Sequence, residues 1–237
     1  MTSIDTSRKK ESFKIFNDIA KTYDLLNRAL SFGIDVKWRK NFIKNLPKRN
    51  GLEVLDLATG TGDVALTLGK DRKVAKVIGL DMSEGMIEIG KKKVTNQGLQ
   101  KLIDLKIGDG VVIPEEDESQ DIVTLAFGIR NFYDPQKALI NIHRVLKKNG
   151  LAMIMEFSLP KNPLIKMFYL FYFRNLLPFV GNLVSKHKDA YTYLNKTVED
   201  FPYGKEFTDM MENAGFKEIR IVPLTFGIAS LYIGKKI

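Results

Sequence analysis

The chain has 237 residues, with 37 Lys plus Arg against 28 Asp plus Glu, for a formal net charge of +9. At about 100–200 residues per domain this length fits one α/β domain with additions or at most two small ones, and 44% hydrophobic with 27% charged residues excludes intrinsic disorder. The absence of cysteine excludes disulfide scaffolds, thiolate metal sites and Cys nucleophiles, and two histidines, His143 and His187, are too few for an imidazole cage, so no metal is expected.

The opening residues 1–10 are polar and basic with no apolar stretch behind them, so no signal peptide is expected and the expected location is cytoplasmic. From 13 to 30, Phe13, Phe16, Ile19, Ala20, Tyr23, Leu26 and Leu30 recur every three or four positions, the spacing of one helical face. Ser31-Phe32-Gly33 interrupts the pattern before a second helical segment over 36–46, closed by Pro47 and Gly51. Residues 1–50 therefore read as a helical cap, and 51–237 as the main domain. Short apolar runs at 53–58, 76–80, 102–107, 121–127 and 151–157 alternate with helical segments, which predicts a parallel sheet covered on both faces. Asp134-Pro135 supplies an N-cap and first-turn proline for a helix running to Lys147, with Asn149-Gly150 as its left-handed stop. After a helix over 205–214, segments 219–223 and 228–233 are joined by a link short enough for an antiparallel hairpin.

The segment 164–184 is rich in Phe, Tyr and Leu but carries Lys166, Arg174 and Pro178, which break the ~20 apolar residues that a membrane span requires. It lies within 160–204, read as a substrate-side insertion. The lysines at 91–93, 147–148 and 235–236 come with no nucleic-acid-binding motif, so a nucleic-acid partner is not expected.

The first strand leads into Leu55-Asp56-Leu57-Ala58-Thr59-Gly60-Thr61-Gly62-Asp63 and then a helix, a loop whose glycines let backbone approach a ligand closely. Gly60-x-Gly62-x-x-Ala65 also satisfies a dinucleotide fingerprint, with Asp81 suitably placed to bind ribose hydroxyls. Charge separates the two readings. Asp56 and Asp63 flank the glycines and would repel a pyrophosphate, whereas the ammonium and sulfonium of S-adenosylmethionine suit carboxylates. Asp81 ends the second strand and can accept from both ribose hydroxyls, and Asp109 follows the third strand within reach of an adenine amine. Taken singly each acid could be a strand-end cap; three at successive strand ends favour a ligand site.

With these motifs in view, the sequence resembles the quinone-biosynthetic C-methyltransferases that act on demethylmenaquinone or the related ubiquinone precursor, a class I, Rossmann-like S-adenosylmethionine-dependent group. The resemblance runs from about Phe13 to Lys236. It is carried by Phe16-Asn17-Asp18-Ile19-Ala20, Tyr23-Asp24-x-x-Asn27, Ser31-Phe32-Gly33 through Trp38, Phe127-Gly128-Ile129-Arg130-Asn131, Arg144-Val145-Leu146-Lys147, Glu156-Phe157-Ser158, Asp189-Ala190-Tyr191-x-Tyr193-Leu194 and Phe226-Gly227-Ile228. Three positions depart from the family pattern: Asp35 stands where a histidine is common, Lys148-Asn149 replaces Pro-Gly before Gly150, and Ala126 stands where some relatives have serine.

The resemblance implies methyl transfer from S-adenosylmethionine to a ring carbon of a prenylated hydroquinone. The expected cofactor set is Asp56, Gly60, Thr61, Gly62, Asp81, Met82, Asp109, Gly110 and Ala126. Arg130 and Asn131 are the expected catalytic pair, and Tyr23, Tyr191 and Tyr193 the expected substrate contacts. Because arginine keeps its proton, Arg130 is read as stabilising a developing phenolate while water removes the proton, with Asn131 orienting that water or a ring oxygen. A structural role is equally open to each: Arg130 paired with an acid, Asn131 capping a helix, Tyr191 and Tyr193 as core aromatics. His143 is read as a surface or packing residue rather than a catalyst, and His187, between Lys186 and Lys188, as a solvated loop histidine in preference to a proton carrier at the pocket rim. The other functional readings are methylation of a different small hydrophobic acceptor, or a basic membrane-surface or nucleic-acid binding module without activity. A polyprenyl substrate and the positive charge imply peripheral contact with the inner face of a membrane, and self-association as a homodimer is allowed.

Overall fold

The computed structural model describes residues 12–176 and 197–237. Two helices come first, α1 (Ser12–Leu30) and α2 (Ile34–Lys44). Phe32 and Gly33 form the corner between them, with φ of 51° and 73°. The sheet then builds through β1 (Leu52–Leu57), α3 (Asp63–Leu68), β2 (Val74–Asp81), α4 (Glu84–Asn96), β3 (Ile103–Ile107) and β4 (Gln120–Ala126). A 3-10 turn (Ile129–Asn131) leads to α5 (Pro135–Val145), β5 (Leu146–Phe157) and α6 (Pro163–Phe171), which runs into a π-helical turn (Tyr172–Leu176). After the undescribed stretch come α7 (Lys205–Asn213), β6 (Lys217–Leu224) and β7 (Ala229–Lys235).

The strands lie in the order β3-β2-β1-β4-β5-β7-β6. The first five are parallel, and β7 runs antiparallel to both β5 and β6. This is the parallel sheet with a terminal antiparallel hairpin that the sequence predicts. The order reverses between β1 and β4, so the carboxyl ends of those strands open a crevice, the usual ligand position in such sheets.

Alternate residues of each strand feed opposite layers. Leu52 and Val54 join Trp38, Phe42 and Met153 on one face. Leu55 and Leu57 join Leu139, Phe207 and Tyr232 on the other. Because Trp38 and Phe42 of α2 are buried in the first layer, and Trp38 Nε1 donates to Thr225 Oγ1 at 2.8 Å, the second helix is built into the main core. A third, smaller cluster joins Leu26 of α1 to Tyr169, Phe173 and Val198.

One local reading needs correction. The helix opened by Asp134 and Pro135 stops at Val145, and β5 begins at Leu146, before the predicted turn. Asn149 does take a left-handed φ of 66°, but inside the strand, where its N–H donates to the Lys236 carbonyl at 2.8 Å. The β4–β5 register slips opposite it, between Gln120 and Ile122. The turn signal therefore marks a bulge. Among the described residues, no helix is long and apolar enough to cross a membrane.

Candidate active site

A cavity opens over the β1–β4 crevice, lined by Gly60, Asp81, Met82, Asp109, Gly110 and Ala126, with Phe13, Phe16 and Tyr23 of α1 above. Asp81 is fixed by its own loop: Oδ2 accepts from the Gly60 N–H at 2.8 Å and Oδ1 from the Ser83 N–H at 2.9 Å. Burial still raises its pKa above the usual carboxylate value. Such a carboxylate gains from further donors, which a ribose diol supplies. Asp109 accepts from the Val111 N–H at 2.8 Å and the Tyr133 hydroxyl at 3.2 Å. Gly110 leaves room for a neighbouring ring, since a Cβ there would meet Phe132 Cζ at 2.4 Å. Ala58 and Phe127, which follow β1 and β4, both hold positive φ (47° and 58°), and a Cβ on Gly128 would meet the Ala58 Cβ at 2.5 Å. Two non-glycine residues are thus strained where the loops converge, a pattern typical of functional sites.

Three of the expected cofactor residues lie behind this wall. Asp56 is 1% exposed and accepts from the Thr59 and Thr124 hydroxyls, each at 2.6 Å. Burial pushes its carboxyl up to about 6. Thr61 donates to Asp24 Oδ1 at 2.6 Å, and Gly62 holds the left-handed φ of 78° that opens α3. These residues shape and anchor the loop. Asp63 is not a bare acid beside the glycines: it pairs with Lys93 and, at 3.1 Å, with Arg39, and these cations hold its pKa below the usual value against the effect of burial. The charge contrast read from the sequence is therefore weaker than its two acids imply, and Asp81 and Asp109 carry the ligand-facing part of it.

A second cavity of about 430 Å³ adjoins the first. Its wall is mainly apolar, drawn from α1, α2, α6 and the π-helical turn, and includes Leu26, Trp38, Phe157, Tyr169 and Phe173. Phe16, Tyr23, Phe127 and Asn131 line both cavities. Arg130 lines the second only and is 5% exposed. Its Nη1 donates to Glu156 Oε1 at 2.7 Å and also to the Phe127 carbonyl. Its guanidinium carbon sits 5.3 Å over the Phe157 ring. The acid pairing left open by the sequence is thus present, and yet Arg130 still faces the cavity. Burial raises the pKa of Glu156, and the adjacent guanidinium counters that rise. Asn131 does not cap the next helix, since Asp134 does, accepting from the Lys137 N–H at 2.9 Å.

Asp35 also borders this cavity, where its carboxylate takes Arg39 at 2.7 Å and the Ser31 hydroxyl at 2.8 Å. An acid is accommodated there because arginines surround it. Glu156 and the Asp35–Arg39 pair were missed as site residues; β4–β5 adjacency and helical i,i+4 spacing bring them in, and only the second is visible in sequence. Tyr191, Tyr193 and His187 lie outside the described residues. His143 is half-buried and packs edge-on against Phe216 at 5.2 Å. Among the described residues there is no cluster of side chains able to hold a metal.

Residues 3–236 match the ubiE/COQ5 methyltransferase family. The chain is 43% identical over 232 residues to the ubiquinone/menaquinone biosynthesis C-methyltransferase UbiE of Geotalea uraniireducens, covering 98% of each chain. It is 40% identical over 237 residues to the demethylmenaquinone methyltransferase of Chlorobaculum tepidum, covering 98% of this chain and 95% of that one. A SAM-dependent methyltransferase structure from Thermotoga maritima superposes with a TM-score of 0.67 at 21% identity, covering 95% of this chain and 100% of that one. A phosphoethanolamine N-methyltransferase from Haemonchus contortus, solved with S-adenosyl-L-methionine, gives 0.60 at 18% identity, covering 80% of this chain and 39% of that one. At these identities the structural likenesses establish the fold alone.

Proposed function

The chain belongs to the ubiE/COQ5 methyltransferase family, and from that premise we propose how its two cavities divide the work of an S-adenosylmethionine-dependent C-methyltransferase of quinone biosynthesis. The polar cavity takes S-adenosylmethionine, with Asp81 accepting from the ribose hydroxyls, Asp109 from the adenine amine, and Gly60 allowing close approach. The apolar cavity takes the prenylated hydroquinone. The observation that carries this reading is the shared wall: Asn131 and Tyr23 line both spaces, so a ring carbon and a methyl donor meet there.

S-adenosylmethionine supplies a methyl group on a leaving group that is already activated, so much of the protein's task is alignment. The ring carbon becomes nucleophilic as the neighbouring hydroxyl loses its proton. Arg130 stabilises that oxygen as charge develops, Glu156 holds the guanidinium in place, and a water accepts the proton. Asn131 Oδ1 is buried with no hydrogen-bond partner among the described residues and orients the hydroxyl or the water.

The enzyme docks on a membrane through α6. Leu164, Met167, Phe168 and Phe171 follow i, i+3, i+4, i+7 spacing, and all four are more than half exposed, so the helix turns an apolar stripe outward. Phe168 also lines the apolar cavity, which gives the tail a route to the bilayer. Lys161 and Lys166 flank the stripe, and the net charge of +9 favours anionic lipid.

The test is incubation with S-adenosylmethionine and a short-tailed demethylmenaquinol under reducing conditions, with mass spectrometry of the quinone. A gain of one methyl on the ring, without competition by NAD, is expected. Failure to bind S-adenosylmethionine would overturn the assignment of the polar cavity; binding without ring methylation would overturn that of the apolar one.

A further inference from the structure

We propose that Tyr169 is a substrate-orienting residue, its hydroxyl hydrogen-bonding the ring oxygen that lies across the acceptor ring from the one facing Arg130. The inference rests on the hydroquinone reading above and adds a specificity element to it. Tyr169 is 8% exposed, and its hydroxyl oxygen is buried with no hydrogen-bond partner among the described residues. Its packing neighbours are Leu26, Phe173 and Val198, where phenylalanine would fit equally well without an unsatisfied group. Tyr172, on the following turn, is different: its hydroxyl donates to the Leu30 carbonyl at 2.7 Å. The orphaned hydroxyl is therefore particular to Tyr169.

Its location identifies its partner. Among the described residues, the buried side-chain atoms without a hydrogen bond are Arg130 Nε, Asn131 Oδ1, Tyr169 Oη and Glu115 Oε2. The first three belong to residues lining the same apolar cavity, and Glu115 does not. Polar groups left unpaired around one apolar space are what a ligand with a few fixed oxygens would satisfy.

Arg130 and Tyr169 are linked through the aromatic side chains of the cavity wall. The guanidinium carbon lies 5.3 Å from the Phe157 ring centre, Phe157 lies 6.3 Å from Phe173, and Phe173 stacks on Tyr169 at 5.3 Å. Both residues line the same cavity, and Arg130 acts electrostatically on the Tyr169 hydroxyl, so an aromatic ring between them with one oxygen at Arg130 can present its para oxygen to Tyr169. The roles differ as the chemistry requires. Arg130 Nε only donates and suits an oxygen gaining negative charge, while the Tyr169 hydroxyl can donate or accept and suits a hydroxyl that stays neutral. Burial raises the Tyr169 pKa, so the hydroxyl keeps its proton throughout.

The experiment compares the wild type with Tyr169→Phe on two short-tailed acceptors: the para-dihydroxy naphthalene, and the matching analogue that lacks the hydroxyl para to the one beside the methylated carbon. In the wild type, KM should be about 3–10-fold higher for the deoxy analogue, the size of one neutral hydrogen bond. In Tyr169→Phe the KM for the quinol should rise to meet that of the analogue, and the two acceptors should become indistinguishable. S-adenosylmethionine affinity should be unchanged and Tm unchanged or higher, because an unsatisfied hydroxyl has been removed. If Tyr169→Phe still separates the two acceptors as the wild type does, or if the wild type never separates them, Tyr169 does not contact the substrate, although the hydroquinone reading stands. A lower Tm with equal losses on both acceptors would make Tyr169 structural. Methylation of neither acceptor by the wild type would defeat the hydroquinone reading and this inference with it.

Discussion

A guanidinium and a carboxylate buried 2.7 Å apart, as Arg130 and Glu156 are, support each other's charge and leave a large penalty if one is lost. Arg130→Ala therefore confounds two effects: about 10²–10³ in turnover from losing a preorganised donor, and about 3–5 kcal/mol of stability from stranding Glu156. Replacing both partners at once, Arg130→Met with Glu156→Leu, separates them. Chemical denaturation should show stability recovered to within about 1 kcal/mol while methyl transfer stays depressed; recovery of turnover with stability would make the pair purely structural. Asp56 provides a pH test. Its carboxyl moves from 3.8 to about 6 on folding, so between those values the folded chain holds a proton that the unfolded chain has released. Stability then falls as pH rises through that window, by about 3 kcal/mol in all, and stays lower above it. Asp56→Asn should gain on the wild type from pH 4 to pH 6 in urea titrations, and parallel curves across that range would rule the effect out. Arg130 was legible as a site residue from its position after the fourth strand and from resemblance. Its partner was not, because 26 residues separate them and only the pairing of β4 with β5 brings Glu156 alongside. The interior setting of Asp56 was hidden for a related reason: strand alternation decides whether a strand-end acid faces the crevice or the interior, and one residue of offset reverses the answer.

At the scale of single elements, α1 depends on polar contacts for its seat over the polar cavity. Asn17 Oδ1 accepts from the Gly85 N–H at 2.8 Å, joining α1 to the start of α4. Asp24 takes Lys93 at 2.9 Å and the Thr61 hydroxyl at 2.6 Å, joining it to α4 again and to the glycine loop. A Cβ on Gly85 would meet Asn17 Oδ1 at 2.9 Å, so the two helices approach closely at this hydrogen bond. Asn17→Ala should cost about 1 kcal/mol of docking. Hydrogen exchange would report it as faster exchange across α1 with β1 to β5 unchanged, alongside weaker S-adenosylmethionine binding. Uniform acceleration across the sheet would instead mean that α1 is part of the global fold. The helix itself was readable from its apolar spacing, since a single stripe faces inward. Its partners were not, because asparagine and aspartate on the other face look like any solvated surface until α4 is placed beside them. The start of β5 was hidden similarly: Asn149-Gly150 carries the chemistry of a turn, and only pairing with β4 and β7 makes it a bulge.

For the whole molecule, alternation of apolar runs with helical segments was enough to predict the parallel sheet and its antiparallel ending, because each parallel crossover needs a helix and the final link is too short for one. The same reasoning could not show which aromatic residues of 164–184 face inward, since strand or helix contacts decide that. Within the described part of this segment, Tyr169 and Phe173 are buried while Leu164, Met167, Phe168 and Phe171 are exposed. Phe173 is therefore a poor probe of membrane contact: its loss would open the small core it shares with Leu26 and Val198. Met167 and Phe171 are better, being exposed and outside both cavities. Each large apolar side chain moved from water into the acyl boundary is worth about 1.5–3 kcal/mol, so Met167→Ser with Phe171→Ser should weaken binding to phosphatidylserine-containing vesicles by at least about tenfold. Tm, S-adenosylmethionine affinity and turnover of a short-tailed quinol should persist, while turnover of a long-tailed quinol held in vesicles should drop. Raising salt should weaken the remaining binding further, since the net positive charge acts through a screened field. Unchanged vesicle binding in this variant would show that α6 is not the docking element, and a matching loss on both quinols would show that the stripe supports the substrate cavity.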